Sequence, residues 1–270
     1  AILPRSSIVE RKAVGQLGRA QIIATNIDVG LIVQSVDRDF SINRLERYLT
    51  ICNASRIQPM IVLSKVDLVE ESQLEKLIEQ IKERIHDVPV FAISNQSQAG
   101  MDALKAELVQ GCTYCLLGSS GVGKSTLINT LAGNQLMETG EINQRIERGK
   151  HVTSHRELIV LDRGILIDNP GMREVGMTQV SEGLEKTFDD IANLARECKF
   201  LDCTHTSERD CAVLLALEQG ELDPQKYANF IKLEKERMYF ESDALERKKK
   251  DKDLGKLIKS VVKEKKRTKY

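Results

Sequence analysis

Between residues 21 and 168 the chain alternates short apolar runs, rich in β-branched residues, with longer stretches in which apolar positions recur every three or four residues. The short runs are typical of buried strands and the longer stretches of amphipathic helices. The runs predict strands at 29–36, 59–63, 88–93, 112–117, 157–161 and 164–168. The longer stretches predict helices at 41–54, 70–86, 100–109 and 123–132. This alternation predicts an α/β fold in which helices cover a largely parallel sheet.

Three regions of different pattern predict the domain organisation. Residues 1–20 are polar and basic, and we expect them to be a linker or the end of a preceding unit. Residues 21–180 carry the α/β pattern. In residues 181–270 the strands disappear, and the sequence becomes helical and cysteine-bearing before it ends in a charged tail. We therefore expect an α/β domain followed by a helical domain with a basic tail.

Charge is distributed unevenly, although 40 basic and 40 acidic residues balance over the whole chain. The tail 247–270 holds twelve basic and three acidic residues. Such a tail favours a polyanionic partner, although a solvated helix face has a similar composition.

Aromatic residues make up only 4% of the chain, which argues against a stacking platform as the main binding device. No apolar run approaches the ~18 residues that span a bilayer, so we expect a cytoplasmic protein without a membrane partner.

The strongest motif is a glycine-rich loop between the predicted strand 112–117 and the predicted helix 123–132. It fits the P-loop pattern G-x-x-x-x-G-K-S, in which backbone N–H groups and a helix N-terminus surround phosphate groups. We expect Lys124 to reach the β- and γ-phosphates and Ser125 to offer its hydroxyl to Mg²⁺. The residues predicted to hold the nucleotide phosphates are Gly118, Ser119, Ser120, Gly121, Val122, Gly123, Lys124, Ser125 and Thr126.

Two further segments suit the γ-phosphate side of such a site. Asp168 ends a predicted strand and is followed by Asn-Pro-Gly171. The carboxylate of Asp168 suits a magnesium-bound water, and the N–H of Gly171 suits the γ-phosphate. In the polar loop 148–156, Thr153 is the candidate for a further magnesium ligand. An ordinary turn and a simple surface loop are the alternatives for these two segments.

The second predicted strand ends in Ser64-Lys65-Val66-Asp67, which is similar to the guanine-reading N/T-K-x-D loop of GTPases. The carboxylate of Asp67 can accept hydrogen bonds from both N1–H and N2–H₂ of guanine, and adenine offers no such pair of donors. Lys65 would lie along the base. Ser64 stands where Asn or Thr is usual, which puts the hydrogen bond that braces this loop in doubt but not the base contact. A solvated strand end is the alternative interpretation.

The order of the motifs predicts a circular permutation. The next strand ends at Ser94 and Asn95, where a backbone N–H could reach guanine O6. These guanine loops precede the P-loop along the chain, whereas in ordinary GTPases they follow it. Joining the old termini and opening the chain elsewhere explains the order, because termini near one another tolerate such a rearrangement. Segment 168–171 then leads directly into the C-terminal region, so the nucleotide state can act on that region through the chain.

A cluster of cysteines in the C-terminal region predicts a metal site. Three thiolates and one imidazole fall within fourteen residues, in the order Cys198, Cys203, His205 and Cys211. Three sulfurs and a nitrogen suit a tetrahedral structural zinc site with no position left for water. Separate cysteines that pack between helices are the alternative. Cys112 and Cys115 also have ligand-like spacing, but a strand directs them to opposite faces, so we expect core thiols.

Taken together, these features resemble the RsgA/YjeQ family of circularly permuted GTPases. The resemblance covers nearly the whole chain and rests on the permuted order and on the segments G-S-S-G-V-G-K-S, R-G-K-H-V-T-S-H-R-E-L, D-N-P-G-M-R-E and C-x₄-C-x-H-x₅-C. It implies hydrolysis of GTP to GDP and phosphate, stimulated by the small ribosomal subunit during late maturation of that subunit. The implied partners are the small subunit and its rRNA, and we expect a monomer. The N-terminal OB-fold of the family is expected to be largely absent here.

The resemblance also implies a catalytic set. Conventional GTPases often place a water-orienting Gln after the D-x-x-G motif, and here Met172 stands there. The resemblance assigns that role to His151, with His155 as a rival, and we expect Lys124 and Thr153 to complete the catalytic set. Two other functions stay open from the sequence: a nucleotide-gated RNA-binding module with incidental hydrolysis, and an ATP-using P-loop enzyme.

Overall fold

A computed structural model describes residues 4–12, 20–133, 157–168 and 180–241. Its strands are β1 (Ile8–Lys12), β2 (Ala20–Thr25), β3 (Val29–Ser35), β4 (Gln58–Ser64), β5 (Val90–Ala92), β6 (Thr113–Leu117), β7 (Glu157–Leu161) and β8 (Gly164–Asp168). Its helices are α1 (Ile42–Ala54), α2 (Glu71–Arg84), α3 (Met101–Ala106), α4 (Lys124–Ala132), α5 (Ser181–Thr187), α6 (Asp189–Ala195), α7 (Ala212–Gln219) and α8 (Pro224–Glu241). All six predicted strands and all four predicted helices are confirmed, with ends that differ by a few residues.

Six strands form one sheet in the order β5-β4-β3-β6-β8-β7. Every pairing is parallel except that between β7 and β8, which is antiparallel. The five parallel strands therefore end at one edge of the sheet. The strand before the first guanine loop, β4, pairs with the central strand β3, and the strand before the second, β5, pairs with β4. On its other side β3 pairs with β6, the strand before the P-loop. The guanine loops and the P-loop, whose order along the chain is exchanged, therefore follow strands on either side of β3 in one sheet.

Alternating side chains divide the core into two layers, one on each face of the sheet. In β4, Ile61 and Leu63 face a cluster built with α1, α2 and the C-terminal helices, whereas Met60 and Val62 face a second cluster built with α3 and α4. The period of two along the strand produces this division. The predicted α/β fold with helices on both faces is confirmed.

The N-terminal segment holds an element that the hydrophobic pattern did not predict. β1 and β2 pair as an antiparallel ribbon, and Val9 and Ile23 of the ribbon are buried in the same cluster as α1. Ser7 ties the ribbon to the following segment, because its Oγ donates to the carbonyl oxygen of Ile27 (2.7 Å) and accepts from the N–H of the same residue (2.7 Å). β1 was not predicted because Glu10 and the two basic residues after it hide the apolar alternation.

The C-terminal helices pack against α1. Gly183 of α5 lies against the backbone of α1 so closely that a Cβ there would stand 2.3 Å from the carbonyl oxygen of Thr50. Next to it, Nδ2 of Asn53 donates to Oγ1 of Thr187 (3.0 Å). Only glycine permits this approach, so the helical region is fixed to the α/β region along α1. Among the helices that the structure describes, none has the length and apolar character needed to cross a membrane.

Candidate nucleotide and metal sites

The P-loop follows β6 directly and opens α4. Gly118 has a φ of 156°, and a Cβ at this position would lie 2.3 Å from the carbonyl oxygen of Val33 in the neighbouring strand. Gly123 has a φ of 90° and immediately precedes the first residue of α4. Both positions require glycine, since an ordinary side chain would collide or adopt a strained backbone. The motif therefore stands in the strand–loop–helix context that phosphate binding needs.

Lys124 folds over the loop that it follows. Its ammonium donates to the carbonyl oxygens of Gly118 (2.9 Å) and Ser119 (2.5 Å). Lys124 is the first residue of α4, so its ammonium lies near the helix N-terminus, which itself favours a bound anion. The arrangement gathers positive potential at the carboxyl edge of the sheet.

The first guanine loop touches the P-loop. Ser64, the last residue of β4, is fully buried, and its Oγ donates to the carbonyl oxygen of Val122 (2.6 Å). The brace that the serine substitution put in doubt is thus present. A serine hydroxyl suffices because β4 and the P-loop strand β6 flank the same central strand, so the two loops approach closely. This bond joins residues 58 positions apart in the chain.

The second guanine loop contacts both of the others. Oγ of Ser94 donates a short hydrogen bond to the carboxylate of Asp67 and accepts from the N–H groups of Gln96 (3.1 Å) and Ser97 (3.0 Å). Nδ2 of Asn95 reaches the carbonyl oxygen of Gly123 (3.4 Å). Oδ1 of Asn95 is buried and accepts no hydrogen bond within the described part of the chain. The two guanine loops and the P-loop therefore form one continuous group.

Asp37 is a member of this group that sequence reasoning missed. It follows β3, and its Oδ2 accepts from Nζ of Lys65 at 2.9 Å. The only signal in the sequence was an acidic side chain just after a buried strand that neighbours the guanine strand. That signal is weak without knowledge of which strands are neighbours.

Several predicted residues lie beyond the described ranges. His151, His155, Thr153 and Gly171 are among them, and of Asp168 the structure describes the backbone as the last residue of β8. β8 pairs with β6, so Asp168 ends at the edge of the sheet where the P-loop begins.

The four predicted zinc ligands come together. One ligand atom from each of Cys198, Cys203, His205 and Cys211 lies within 4.8 Å of all the others. Nδ1 of His205 is 3.6 Å from Sγ of Cys198 and 3.5 Å from Sγ of Cys211. Three soft sulfurs and one imidazole nitrogen at such separations fit a tetrahedral zinc ion. Cys115, by contrast, is buried in the core, and Cys112 is half-buried just before β6 begins.

Local electrostatics favour a thiolate at Cys198 and a neutral imidazole at His205, but they oppose a thiolate at Cys203. Burial favours a raised pKa for the Cys198 thiol, but hydrogen bonds from the backbone N–H groups of Ala212 and Val213 and from the neighbouring cysteines together lower that pKa. Burial, followed by the neighbouring sulfurs, raises the pKa of Cys203 to about 12. Burial lowers the pKa of His205 and so keeps its imidazole neutral, as a ligand must be. A divalent cation would offset the repulsion among clustered thiolates.

Two aromatic side chains of α8 also contact His205. The hydroxyl of Tyr227 in α8 donates to the backbone carbonyl of His205 (2.6 Å), and the ring of Phe230 lies 6.4 Å from the imidazole between ring centroids. His205 itself has a φ of 57°, so its backbone is in the left-handed region. Contacts of this kind around a ligand fix its orientation.

The fold and the loop contacts define a P-loop nucleotide-binding protein of permuted chain order, and comparison with known proteins gives the family. The sequence profile of the RsgA GTPase family matches residues 2–178, which is more than half of the chain. The chain belongs to the RsgA GTPase family. It is therefore a GTPase, a hydrolase that acts on GTP, as the nucleotide site had indicated.

Curated relatives agree. The chain is 46% identical over 253 residues to small ribosomal subunit biogenesis GTPase RsgA 1 of Listeria monocytogenes, covering 91% of this chain and 72% of the relative. It is 38% identical over 269 residues to RsgA 2 of Vibrio vulnificus, covering 99% of this chain and 76% of the relative.

Solved structures agree as well. YjeQ from Thermotoga maritima has a TM-score of 0.61 at 25% identity, covering 86% of this chain and 76% of that one. YloQ, described as a circularly permuted GTPase, has a TM-score of 0.55 at 27% identity, covering 86% and 79%. The permuted α/β GTPase fold predicted from the motif order is confirmed.

Proposed function

We propose that this protein binds the small ribosomal subunit and assists its late maturation, hydrolysing GTP to GDP and phosphate in response to the subunit. The observation that carries the nucleotide part is the bond from Ser64 to Val122, which unites the guanine loop with the P-loop. The relatives named small ribosomal subunit biogenesis GTPases support the cellular role.

The guanine base is proposed to lie between the two guanine loops. The carboxylate of Asp67 accepts from N1–H and N2–H₂, and the stem of Lys65 covers one face of the ring. The N–H of Asn95 is proposed to donate to O6, because the N–H of Ser94 already donates to the carbonyl oxygen of Ala99 (3.0 Å). The loop contacts already described support this assignment, because they fix Asp67 beside the second loop before any base arrives.

The phosphates are proposed to occupy the P-loop, from Gly118 to Thr126. Backbone N–H groups of the loop and the ammonium of Lys124 receive the negative charge. The hydroxyl of Ser125 lies in the first turn of α4, and β8 brings Asp168 to the neighbouring strand end, so hydroxyl and carboxylate oxygens suit Mg²⁺. Ser125, Thr153 and Asp168 would hold that ion, which when bound neutralises charge on the β- and γ-phosphates. The N–H of Gly171 is proposed to contact the γ-phosphate.

The C-terminal region is proposed to hold one structural zinc and to contact rRNA. Cys198, Cys203, His205 and Cys211 would be the ligands, and the donor set leaves no position for a reacting water. The basic tail 247–270 would neutralise RNA phosphates, and binding that depends on such contacts weakens as salt rises.

Guanine selection is tested by replacing Asp67 with Asn. We expect GTP to bind about a hundredfold more weakly, because the amide offers one acceptor and turns a donor toward N2–H₂ of the base. Xanthosine triphosphate, whose 2-carbonyl accepts from that donor, should bind better than it does to the wild type. Equilibrium titration with GTP, ATP and XTP measures this. Asp102→Asn, the same change at an exposed position of α3, is the control. Equal competition by ATP and GTP for the wild type would exclude the guanine assignment.

Subunit-stimulated hydrolysis is tested by replacing His151 with Ala. We propose that its imidazole positions the attacking water, and a lost proton-transfer or water-orienting group lowers the rate by about a hundredfold. Single-turnover hydrolysis should be measured with and without small subunits, and His155→Ala is the matched variant. If His155→Ala is the slower of the two, the role belongs to His155. If subunits do not accelerate the wild type, the protein is instead an RNA-binding module in which hydrolysis is incidental.

A further inference from the structure

The lysine of the guanine loop is held at both ends. Its backbone follows the buried Ser64 and adopts a φ of 61°. Its ammonium donates to Oδ2 of Asp37 at 2.9 Å, and the two side chains are 27% and 31% exposed. A lysine side chain otherwise samples many rotamers, so a fixed terminus strongly restricts the path of its stem.

Asp37 is itself positioned by two further hydrogen bonds. Its Oδ1 accepts from Oγ of the buried Ser35 (2.8 Å) and from the N–H of Asp39 (3.1 Å). Burial favours a raised pKa for Asp37, but the hydrogen bonds from Lys65, Ser35 and Asp39 outweigh it and hold the pKa below its ordinary value. The carboxylate is therefore ionised at neutral pH.

Strand pairing aligns the loop that carries Asp37 with the guanine loop. In the sheet, Ser35 pairs with Ser64, the residue before Lys65. The N–H of Val36 donates to the carbonyl oxygen of Ser64 (3.1 Å) and continues the pairing past the strand ends. The distance between Asp37 and Lys65 is consequently set by the sheet and not by two mobile side chains alone.

We propose that Asp37 is a positioning residue for guanine binding, which holds the ammonium of Lys65 so that the lysine stem lies ready along the base. This inference rests on the proposed placement of guanine between Asp67 and Lys65. Asp37 itself does not touch the nucleotide; it acts by ordering Lys65 before binding. Ordering a flexible side chain in advance lowers the entropy cost of binding.

The experiment compares Asp37→Asn with Asp39→Asn, an equal change of charge two residues along the same loop whose exposed side chain faces no lysine of the guanine loop. Release of a fluorescent GDP analogue is followed by stopped flow at low salt. We expect about fivefold faster release from Asp37→Asn, the size typical of a partly exposed ion pair, and no change from Asp39→Asn. The KM for GTP should rise more than kcat falls. Asp37→Glu should recover part of the loss.

A double-mutant cycle decides whether the effect passes through Lys65. In a Lys65→Met background, Asp37→Asn should cause no further acceleration, because the ammonium that it orders is gone. The inference is overturned if Asp37→Asn behaves like Asp39→Asn, or if it accelerates release equally with and without Lys65. Thermal melting of each variant separates a folding defect from these results. Failure here leaves the preference of the wild type for GTP over ATP intact, whereas failure of the proposed guanine site removes that preference.

Discussion

Replacing Cys203 with serine is expected to remove zinc from the protein and to unfold its C-terminal helical region. The proposed ligands come from residues 198–211, a segment of turns and bends that contains no strand or helix. Structural zinc contributes an apparent binding free energy on the order of 10 kcal/mol at neutral pH, and this is folding free energy when the site is absent from the unfolded chain. A loss of this size is comparable with the whole stability of a typical domain.

Metal content and limited proteolysis together measure the effect. The wild type should contain one zinc per chain after gel filtration, and Cys203→Ser far less. New cleavage sites should appear between residues 196 and 220, because the segment loses its ordering cation. Cys112→Ser is the matched control, since Cys112 is half-buried and lies outside the cluster. A wild type with no bound zinc, or a Cys203→Ser variant that keeps its zinc, would remove the metal assignment.

Replacing Glu46 with Gln is expected to destabilise the fold by about 3 kcal/mol or more, the cost typical of breaking one side of a buried ion pair. Glu46 of α1 is 1% exposed, and its carboxylate accepts from Nε (3.0 Å) and Nη2 (2.7 Å) of Arg84 at the end of α2. Nδ2 of Asn229 in α8 donates to the same carboxylate (2.5 Å). A neutral amide leaves the buried guanidinium without its main counter-charge.

Urea unfolding followed by circular dichroism checks this result, and the chain supplies its own control. Glu236→Gln makes the same change in the ion pair with Arg47, which joins α1 to α8 and is about a quarter exposed on each side. That variant should lose less than about 1 kcal/mol, because water screens the pair. Equal losses from Glu46→Gln and Glu236→Gln would show that burial does not set the cost.

Removing both charges should cost less than removing one. Burial raises the pKa of Glu46 in spite of the opposing charge of Arg84 and the hydrogen bond from Asn229, so ionising it costs more free energy here than in water. Apolar side chains of similar volume at both positions avoid that cost. We therefore expect Glu46→Leu combined with Arg84→Met to be more stable than Glu46→Gln alone.

Much of the site was predictable because it depends on local chemistry. The turn after β6 admits only glycine at Gly118, and phosphate binding needs Lys124 at the start of the next helix, so spacing alone reveals the loop. The proposed zinc ligands lie within one short segment, which brings them together without long-range folding. Such features leave a pattern in adjacent residues.

Contacts between distant segments were not predictable in the same way. The bond from Ser64 to Val122, the ion pair of Asp37 with Lys65, and the burial of Glu46 against Arg84 all join elements far apart in the chain. A polar residue in a sequence carries no sign of which strand or helix will become its neighbour. The register of the sheet and the packing of α2 against α1 supply that information.

The sequence by itself determined that this chain is an α/β protein, and it predicted a phosphate loop, a guanine-reading segment and a cluster of four metal ligands. Each of these predictions follows from the period of apolar positions or from the spacing of a few reactive side chains, because local backbone geometry constrains both. Only the tertiary structure decided that the guanine loops touch the P-loop, that Asp37 holds Lys65, and that Asn229 of α8 contacts the buried carboxylate of Glu46 in α1. These depend on strand order and helix packing, which arise from the whole core at once.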